Sequence, residues 1–292
     1  MKHLLFAQPS ALAYFATLVA EDPGFALLEA AICVAHDDNP TLDVQTVLAD
    51  IDRLAGRLKA RLPADASSLS RLQALNQYFY GELAFAGNVN NYYDRRNSHL
   101  HEVLASRRGI PITLALLFCE LASQIGLTAR GVSFPGHFLV KLRMPQGEVV
   151  IDPVNGRSLS RDDLDERLSP YRSRHGLEGD FEAPLGLFLQ AAPPRDVLAR
   201  LLLNLKEIHR SGEDWPRLLA VQQRLVLLLP LALEERRDRG LAWAELGRPV
   251  EAVDDLAAYL AARPNAADAA PLAGRLSELQ AELRAGGAPG LH

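Results

Sequence analysis

Cysteine is scarce in this 292-residue chain, where only Cys33 and Cys119 occur. Two thiols make no disulfide framework and suit a reducing compartment, so a cytoplasmic location is expected. Long apolar runs are missing too. No stretch of ~18–20 uninterrupted apolar residues is available to span a bilayer, and no membrane partner is expected. The N-terminal stretch MKHLLFAQPSALAYFATLVA tempts a targeting assignment, but Gln8-Pro9-Ser10 interrupts its apolar run and no small-residue cleavage site follows. It reads as a packed or amphipathic first helix. Nor is positive charge in excess: 31 Lys and Arg against 36 Asp and Glu leave a net charge of −5, which offers no global footprint for nucleic acid. With 48% hydrophobic and 23% charged residues, the balance is that of a globular protein of one large domain or two modest ones.

Apolar periodicity places helices at Phe25 to Ala35, Leu42 to Arg61 and Ser67 to Ala84. The second has a stripe of Val44, Val47, Leu48, Ile51, Leu54, Leu58 and Leu62 at helical spacing. The third is expected to turn Leu69, Leu72, Leu75, Tyr78 and Phe79 inward. His36 beside Asp37 and Asp38 reads as a solvated loop rather than a metal site, because carboxylates and Asn also turn chains. His99 and His101 are two apart, so on a helix they would point to different sides, which argues against a paired metal site. No metal and no cofactor is expected.

Residues 108–155 carry the chemistry. A buried helix from Pro111 to Ile125 is followed by a strand ending near Ser133, a second opened by His137 and a third ended by Asp152. If Met144-Pro145-Gln146-Gly147 closes the hairpin with two central residues, Leu139 lies opposite Asp152. His137 and Asp152 then become diagonal neighbours on one face, ~5–8 Å apart at Cβ. A three-residue loop would break that parity. On one face the Asp can accept from one imidazole nitrogen, fix the tautomer and leave the other nitrogen as a base. An ordinary surface His–Asp pair is the alternative.

The preceding loop, Gly87 to Asn97, is dense in Asn and Tyr. Asn88, Asn91, Tyr92, Tyr93 and Asn97 could line a binding cleft or pin a long connection by local hydrogen bonds. Arg108, Thr113 and Asn155 are further cleft candidates. Thr113 sits in the first turn of its helix, where a hydroxyl more often satisfies backbone donors than attacks a substrate.

Gly126-Leu127-Thr128-Ala129-Arg130, then His137, then Asp152-Pro153 resemble the core of the transglutaminase-like superfamily, in which a helix headed by a nucleophilic Cys precedes these motifs. Counted back from Gly126, that Cys falls at about Pro111. Asn91-Tyr92-Tyr93-Asp94, Arg107-Arg108-Gly109-Ile110-Pro111, Phe134-Pro135-Gly136-His137 and Ile151-Asp152-Pro153 further resemble bacterial SirB-type proteins, in which Ile-Pro at this place is habitual. The resemblance implies an α+β fold, mostly helical, with a transglutaminase-like (papain-like) core at about 88–156 carrying a small antiparallel sheet. Tetratricopeptide-like repeats are implied after it. Cys119 does not replace the nucleophile: eight residues along the helix it is displaced ~12 Å down the axis and turned by roughly 80°. A packed free thiol among leucines, with no cation beside it and a raised pKa, is expected instead.

A short helix, Arg161 to Leu168, and an irregular connector, 170–194, lead to an almost purely helical remainder. Pro230 and Pro264 stand 34 residues apart, each ending an apolar-patterned helix, and that period marks tetratricopeptide helix pairs. Gly240, Trp243, Gly247, Ala252 and Leu256 fit the pattern, while Leu205, Trp215, Leu218 and Leu225 fit it less well. Ala266 to Arg284 would cap the array. The domains are therefore expected at 1–190, with the core inside, and at 195–285.

With Pro111 where a nucleophile would stand, the favoured reading is a non-catalytic, transglutaminase-like pseudoenzyme that binds a protein or peptide through its cleft or its repeat groove. His137 and Asp152 would be a residual pair. The alternatives are an active cysteine-type protease or transglutaminase, and a hydrolase activating water on the His137–Asp152 pair.

Overall fold

The computed structural model describes residues 10–20, 24–177, 179 and 183–286. The first nine residues of the apolar N-terminal stretch lie outside them; its remainder forms α1 (Ala11–Val19), capped by the Ser10 hydroxyl, which accepts from the Ala13 amide. Among the described residues no helix is long and apolar enough to cross a membrane. The chain divides into two compact units, Asp22–Leu201 and, with α1, the chain from Leu202 onward. The expected boundary between 190 and 195 thus moves to Leu201, and α1 belongs with the repeats. The physical reason is its buried face: Phe15 and Val19 are enclosed, and the Arg224 guanidinium lies 5.5 Å from the Phe15 ring centre.

In the Asp22–Leu201 unit, α2 (Leu27–Cys33) continues into a tight turn, Val34–Asp37, and α3 (Val44–Lys59) follows, its first turn capped by Asp43. The predicted stripe is the one buried, through Val44, Val47, Ile51, Leu54 and Leu58. The third predicted helix is two pieces. α4 (Ser68–Asn76) gives way to a wide π-helical turn, Gln77–Glu82, which swings Phe79 and Tyr80 together onto Phe118, with ring centres 5.4 and 6.0 Å away. Leu72, Leu75, Tyr78 and Phe79 are buried as expected; Leu69 is 57% exposed and is not part of the inner face.

After β1 (Ala86–Gly87) and the Asn-rich loop come α5 (Leu100–Ser106), β2 (Arg108–Gly109) and α6 (Pro111–Gln124). Proline suits the head of α6 because its missing N–H has no partner to lose there. Ten of the fourteen α6 residues are buried, and at ~1.5–3 kcal/mol for each large apolar side chain this helix organises the unit. Gly126, at φ +80, ends it: the Leu127 amide reaches back to the Ala122 carbonyl, and Arg71 donates to the Ile125 carbonyl at 2.8 Å.

The main sheet is antiparallel, ordered β3 (Thr128–Val132), β4 (Leu139–Met144), β5 (Gly147–Ile151), β6 (Ser158–Leu159). α7 covers it. Predicted to stop at Leu168, α7 (Arg161–His175) runs on through Pro170; Leu164 and Leu168 in its first half enter a cluster with Val132, Phe134, Leu139 and Val150. Buried Arg172 then holds the second half, donating to Asp165 and to the Ala183 carbonyl. The connector also contains α8 (Leu185–Phe188) before α9 (Pro194–Ser211).

In the other unit α10 (Trp215–Leu228), α11 (Leu233–Glu245), α12 (Pro249–Ala262) and α13 (Ala269–Gly286) follow. The 34-residue period is visible bond by bond. The amides of Gly212, Glu213 and Asp214 bond the carbonyls of Ile208, Arg210 and His209; Leu246, Gly247 and Arg248 repeat this on Ala242, Ala244 and Trp243. The Leu229 amide reaches Leu225, and that of Arg263 reaches Tyr259, each at 2.8 Å. α13 therefore takes the place of the first helix of a further repeat. Gly240 lets α11 and α12 meet closely, for a Cβ there would sit 3.0 Å from the Leu256 side chain.

Candidate functional site

Two tight turns, each with a glycine on the left-handed side, deliver the central pair. Pro135-Gly136 forms one: the His137 amide bonds the Phe134 carbonyl at 3.1 Å and Gly136 has φ +70, the arrangement of a type II turn. In the other, the Val154 amide bonds Asp152 Oδ1 at 3.1 Å, the Gly156 amide returns to the Asp152 carbonyl, and Gly156 has φ +73. Between them the hairpin closes with two central residues, Met144 paired with Gly147 and Val140 with Ile151. Parity is kept. His137 Nε2 and Asp152 Oδ1 are 3.0 Å apart, although both residues lie just outside the ends of the strands.

Asp152 has a third partner, which the sequence reading missed: Arg167 Nη1, on α7, donates to Oδ2 at 3.0 Å. Leu164 and Leu168 face the sheet from the same helix, so Arg167 at i+3 from Leu164 was the available signal. Burial would push the Asp152 pKa upward; the His137 hydrogen bond and charge, the Val154 amide and Arg167 outweigh it and hold the carboxyl at about 2. Asp152 is therefore an anion whose charge is divided between an imidazole and a guanidinium. With Nε2 engaged, Nδ1 is the imidazole nitrogen left for chemistry, on a side chain 25% exposed.

Tyr80 supports the Asp152 turn from below. Its hydroxyl donates to the Pro153 carbonyl at 3.2 Å, and a Cβ on Gly156 would meet its ring at 2.4 Å. Burial, then the nearby Asp152 charge, raises its pKa.

The Asn-rich loop is pinned rather than open. Asn97 is buried and donates to the Asn91 and Tyr92 carbonyls, while Asn88 donates to Asn97 Oδ1 at 2.9 Å. Thr113 Oγ1 lies 2.8 Å from the Asn97 carbonyl and accepts from the Ile110 amide, fastening the loop to the head of α6. The Gly87 amide, bonded to the Val154 carbonyl at 3.3 Å, joins the same loop to the Asp152 turn. So Asn88, Asn97 and Thr113 are held together as a scaffold between the loop and the head of α6. Asn91 bonds Asp94, Asn155 caps its own turn through the Arg157 amide, and Arg108 donates to the Ala84 carbonyl at 2.6 Å. Val89, Tyr92 and Tyr93, 81%, 51% and 75% exposed, are the large apolar and aromatic side chains this loop turns outward, the two tyrosines edge to face.

Cys119 departs from expectation in two respects. It is half-buried, not enclosed, and lines a groove of ≈ 560 Å³ with Arg130, Phe138 and the 191–194 segment. A cation does lie near: Arg130 favours the thiolate. Burial is the larger effect and pushes the thiol up to about 12.

The histidine expectations divide. His36 Nε2 bonds the Leu42 carbonyl at 2.9 Å, a structural contact. His99 and His101, expected on different sides, stack with ring centres 6.0 Å apart and 15° between planes, because His99 is the extended N-cap of α5 and not part of the helix. Among the described residues no group of three His, Cys, Asp or Glu side chains is placed to hold a metal ion.

The profile of the transglutaminase-like superfamily matches residues 45–203, and a tetratricopeptide repeat profile matches 205–277. A UPF0162 protein of Xylella fastidiosa is 35% identical over 263 residues, 90% of this chain and 92% of that protein. One from Pseudomonas aeruginosa is 31% identical over 261 residues, 89% and 93% of the two chains. Human F-box only protein 21 is 43% identical over 70 residues, 24% of this chain and 11% of that protein. No solved structure matches.

Proposed function

For a chain that belongs to the transglutaminase-like superfamily and to the UPF0162 proteins, we propose a non-catalytic protein-interaction role, in which the repeats take an extended peptide segment of a protein partner. The observation that carries this reading is a groove of ≈ 630 Å³ with an apolar floor of Trp215, Leu218, Leu241 and Leu272. Charges of both signs rim it: Lys206, Arg210, Arg237 and Arg275 against Asp238, Glu245 and Asp268. An extended chain brings apolar side chains and main-chain polar groups together, and such a surface suits both.

Thiol chemistry lacks support at the superfamily's usual place. Pro111 heads α6, and the Cys119 thiol is held protonated by burial. A covalent mechanism without its nucleophile keeps only binding contributions. Two cysteines in 292 residues, too few for a disulfide framework, support the expectation of a reducing cytoplasm.

The test is a screen of peptides displayed on phage against the purified chain, with affinities measured for those enriched. Leu241→Glu in the groove should abolish binding and leave melting within a few degrees. Enriched peptides that bind Leu241→Glu as well as the parent would overturn the reading, as would peptide turnover lost on Cys119→Ala. A second reading, water activation by His137, rests on the ionised Asp152 holding Nε2 and leaving Nδ1 free. Hydrolysis surviving Cys119→Ala but not His137→Ala would favour it.

A further inference from the structure

Arg107 occupies an uncommon backbone position at the end of α5. It follows the last residue of α5 with φ +61, a backbone that glycine or asparagine takes far more cheaply. Its guanidinium lies 4.8 Å from the Phe85 ring centre, and among the described residues its shielded Nη1 has no hydrogen-bond partner and no carboxylate pairs with it. Burial lowers its pKa. A shielded donor without a partner carries a desolvation cost, here confined to one nitrogen of a partly buried side chain.

A pocket of ≈ 250 Å³ opens beside it, lined by Arg107 and His101 from the α5 end and by Arg53 and Arg57 from α3. His101 repeats the anomaly, for its Nδ1 is also shielded and partnerless, while Nε2 lies 3.6 Å from Glu102. Arg53 and Arg57 are i, i+4 neighbours on one helix face, Arg53 paired with Asp50 at 2.6 Å. Asp50 is the single acid in the lining, against three arginines. The lining thus carries three guanidinium groups from two elements against one carboxylate, an excess of positive charge that an anion would balance.

Three guanidinium groups, two from α3 and one from the end of α5, suit a tetrahedral dianion better than a carboxylate, which one arginine fork already saturates. We propose that this pocket binds a small phosphate-class anion, either inorganic phosphate or the phosphoryl group of a phosphomonoester, with Arg107, Arg57 and Arg53 as its ligands. The site is independent of the His137–Asp152 pair and of the repeat groove.

The full chain is titrated with inorganic phosphate, with glycerol phosphate and with acetate, at ionic strength fixed by chloride, following melting temperature and heat of binding. Saturable binding of either phosphate compound is expected, and whichever binds more tightly identifies the source. Arg57→Gln, on an exposed helix face, should weaken it about tenfold. Arg107→Gly, which suits the left-handed backbone, should abolish it, and Lys59→Gln, outside the pocket, should leave it unchanged. Absence of saturable binding, equal binding of acetate, or an Arg57→Gln variant with the parent affinity would each overturn the proposal.

Discussion

Glu213 and Gly247 stand one repeat apart and share the same left-handed backbone, φ +53 and +66. Both close the turn between paired helices with the same pattern of amide-to-carbonyl bonds. One repeat fills the position with the residue that fits it, and the other does not.

Glu213→Gly is therefore expected to raise stability by about 0.5–1 kcal/mol, the relief of left-handed strain less the added freedom of glycine in the unfolded chain. Gly247→Ala should lower it by about 1 kcal/mol. Urea unfolding of both variants measures this, and a Glu213→Gly protein no more stable than its parent would contradict the equivalence of the two turns.

Asp152 gives stability a pH dependence whose sign is fixed by its depressed pKa. Folded, its carboxyl titrates at about 2, against 3.8 for the free group. The stabilisation is complete above pH ~4 and is lost as the pH falls toward 2, on the order of 2 kcal/mol in all. Asp152→Asn should cost most at neutral pH and nearly nothing at pH 2. A penalty independent of pH would show that the His137 and Arg167 contacts do not hold the charge.

The Asp152 turn rests on Tyr80, and the two can be separated. Tyr80→Phe loses the bond to the Pro153 carbonyl, about 1 kcal/mol. Gly156→Ala meets the Tyr80 ring and a left-handed backbone together, and about 2–4 kcal/mol of destabilisation is expected. Thermal melting of both variants checks the order; Gly156→Ala costing less than Tyr80→Phe would refute it.

Cys119 combines access with a raised pKa, so its alkylation is limited by ionisation. With the thiol at about 12 rather than 9.0, iodoacetamide at pH 8 should react at least ~100-fold more slowly than in denaturant. Mass spectrometry of the timed reaction decides. Equal rates in the two states would mean that the groove leaves the thiolate solvated.

Local patterns carried most of the fold. The α3 stripe, Pro111 at the head of α6 and the two-residue hairpin turn were legible because each depends on a few neighbouring residues. Parity alone brought His137 to Asp152. What was not legible depended on distant partners. Arg167 reaches Asp152 from a helix expected to be shorter, and Pro170 argued for stopping that helix before buried Arg172 was known to hold it. The Asn-rich loop offered cleft and scaffold equally, and the bonds of Asn97 and Thr113, which pin it, depend on partners the sequence does not place. The break at Gln77–Glu82 has no glycine or proline to announce it except Gly81, inside it, and follows from packing Phe79 and Tyr80 on Phe118.

Because the bonds of the helical array recur at one interval in both kinds of turn, a 34-residue window has no privileged starting point. A copy taken from 214–247 and a copy taken from 230–263 would each rejoin the chain with matched junctions, since the last residue of either window is followed by the structural equivalent of its first. Length in this unit is thus a quantity the gene can change in whole steps, and each added step brings one more stretch of groove while leaving every existing turn intact.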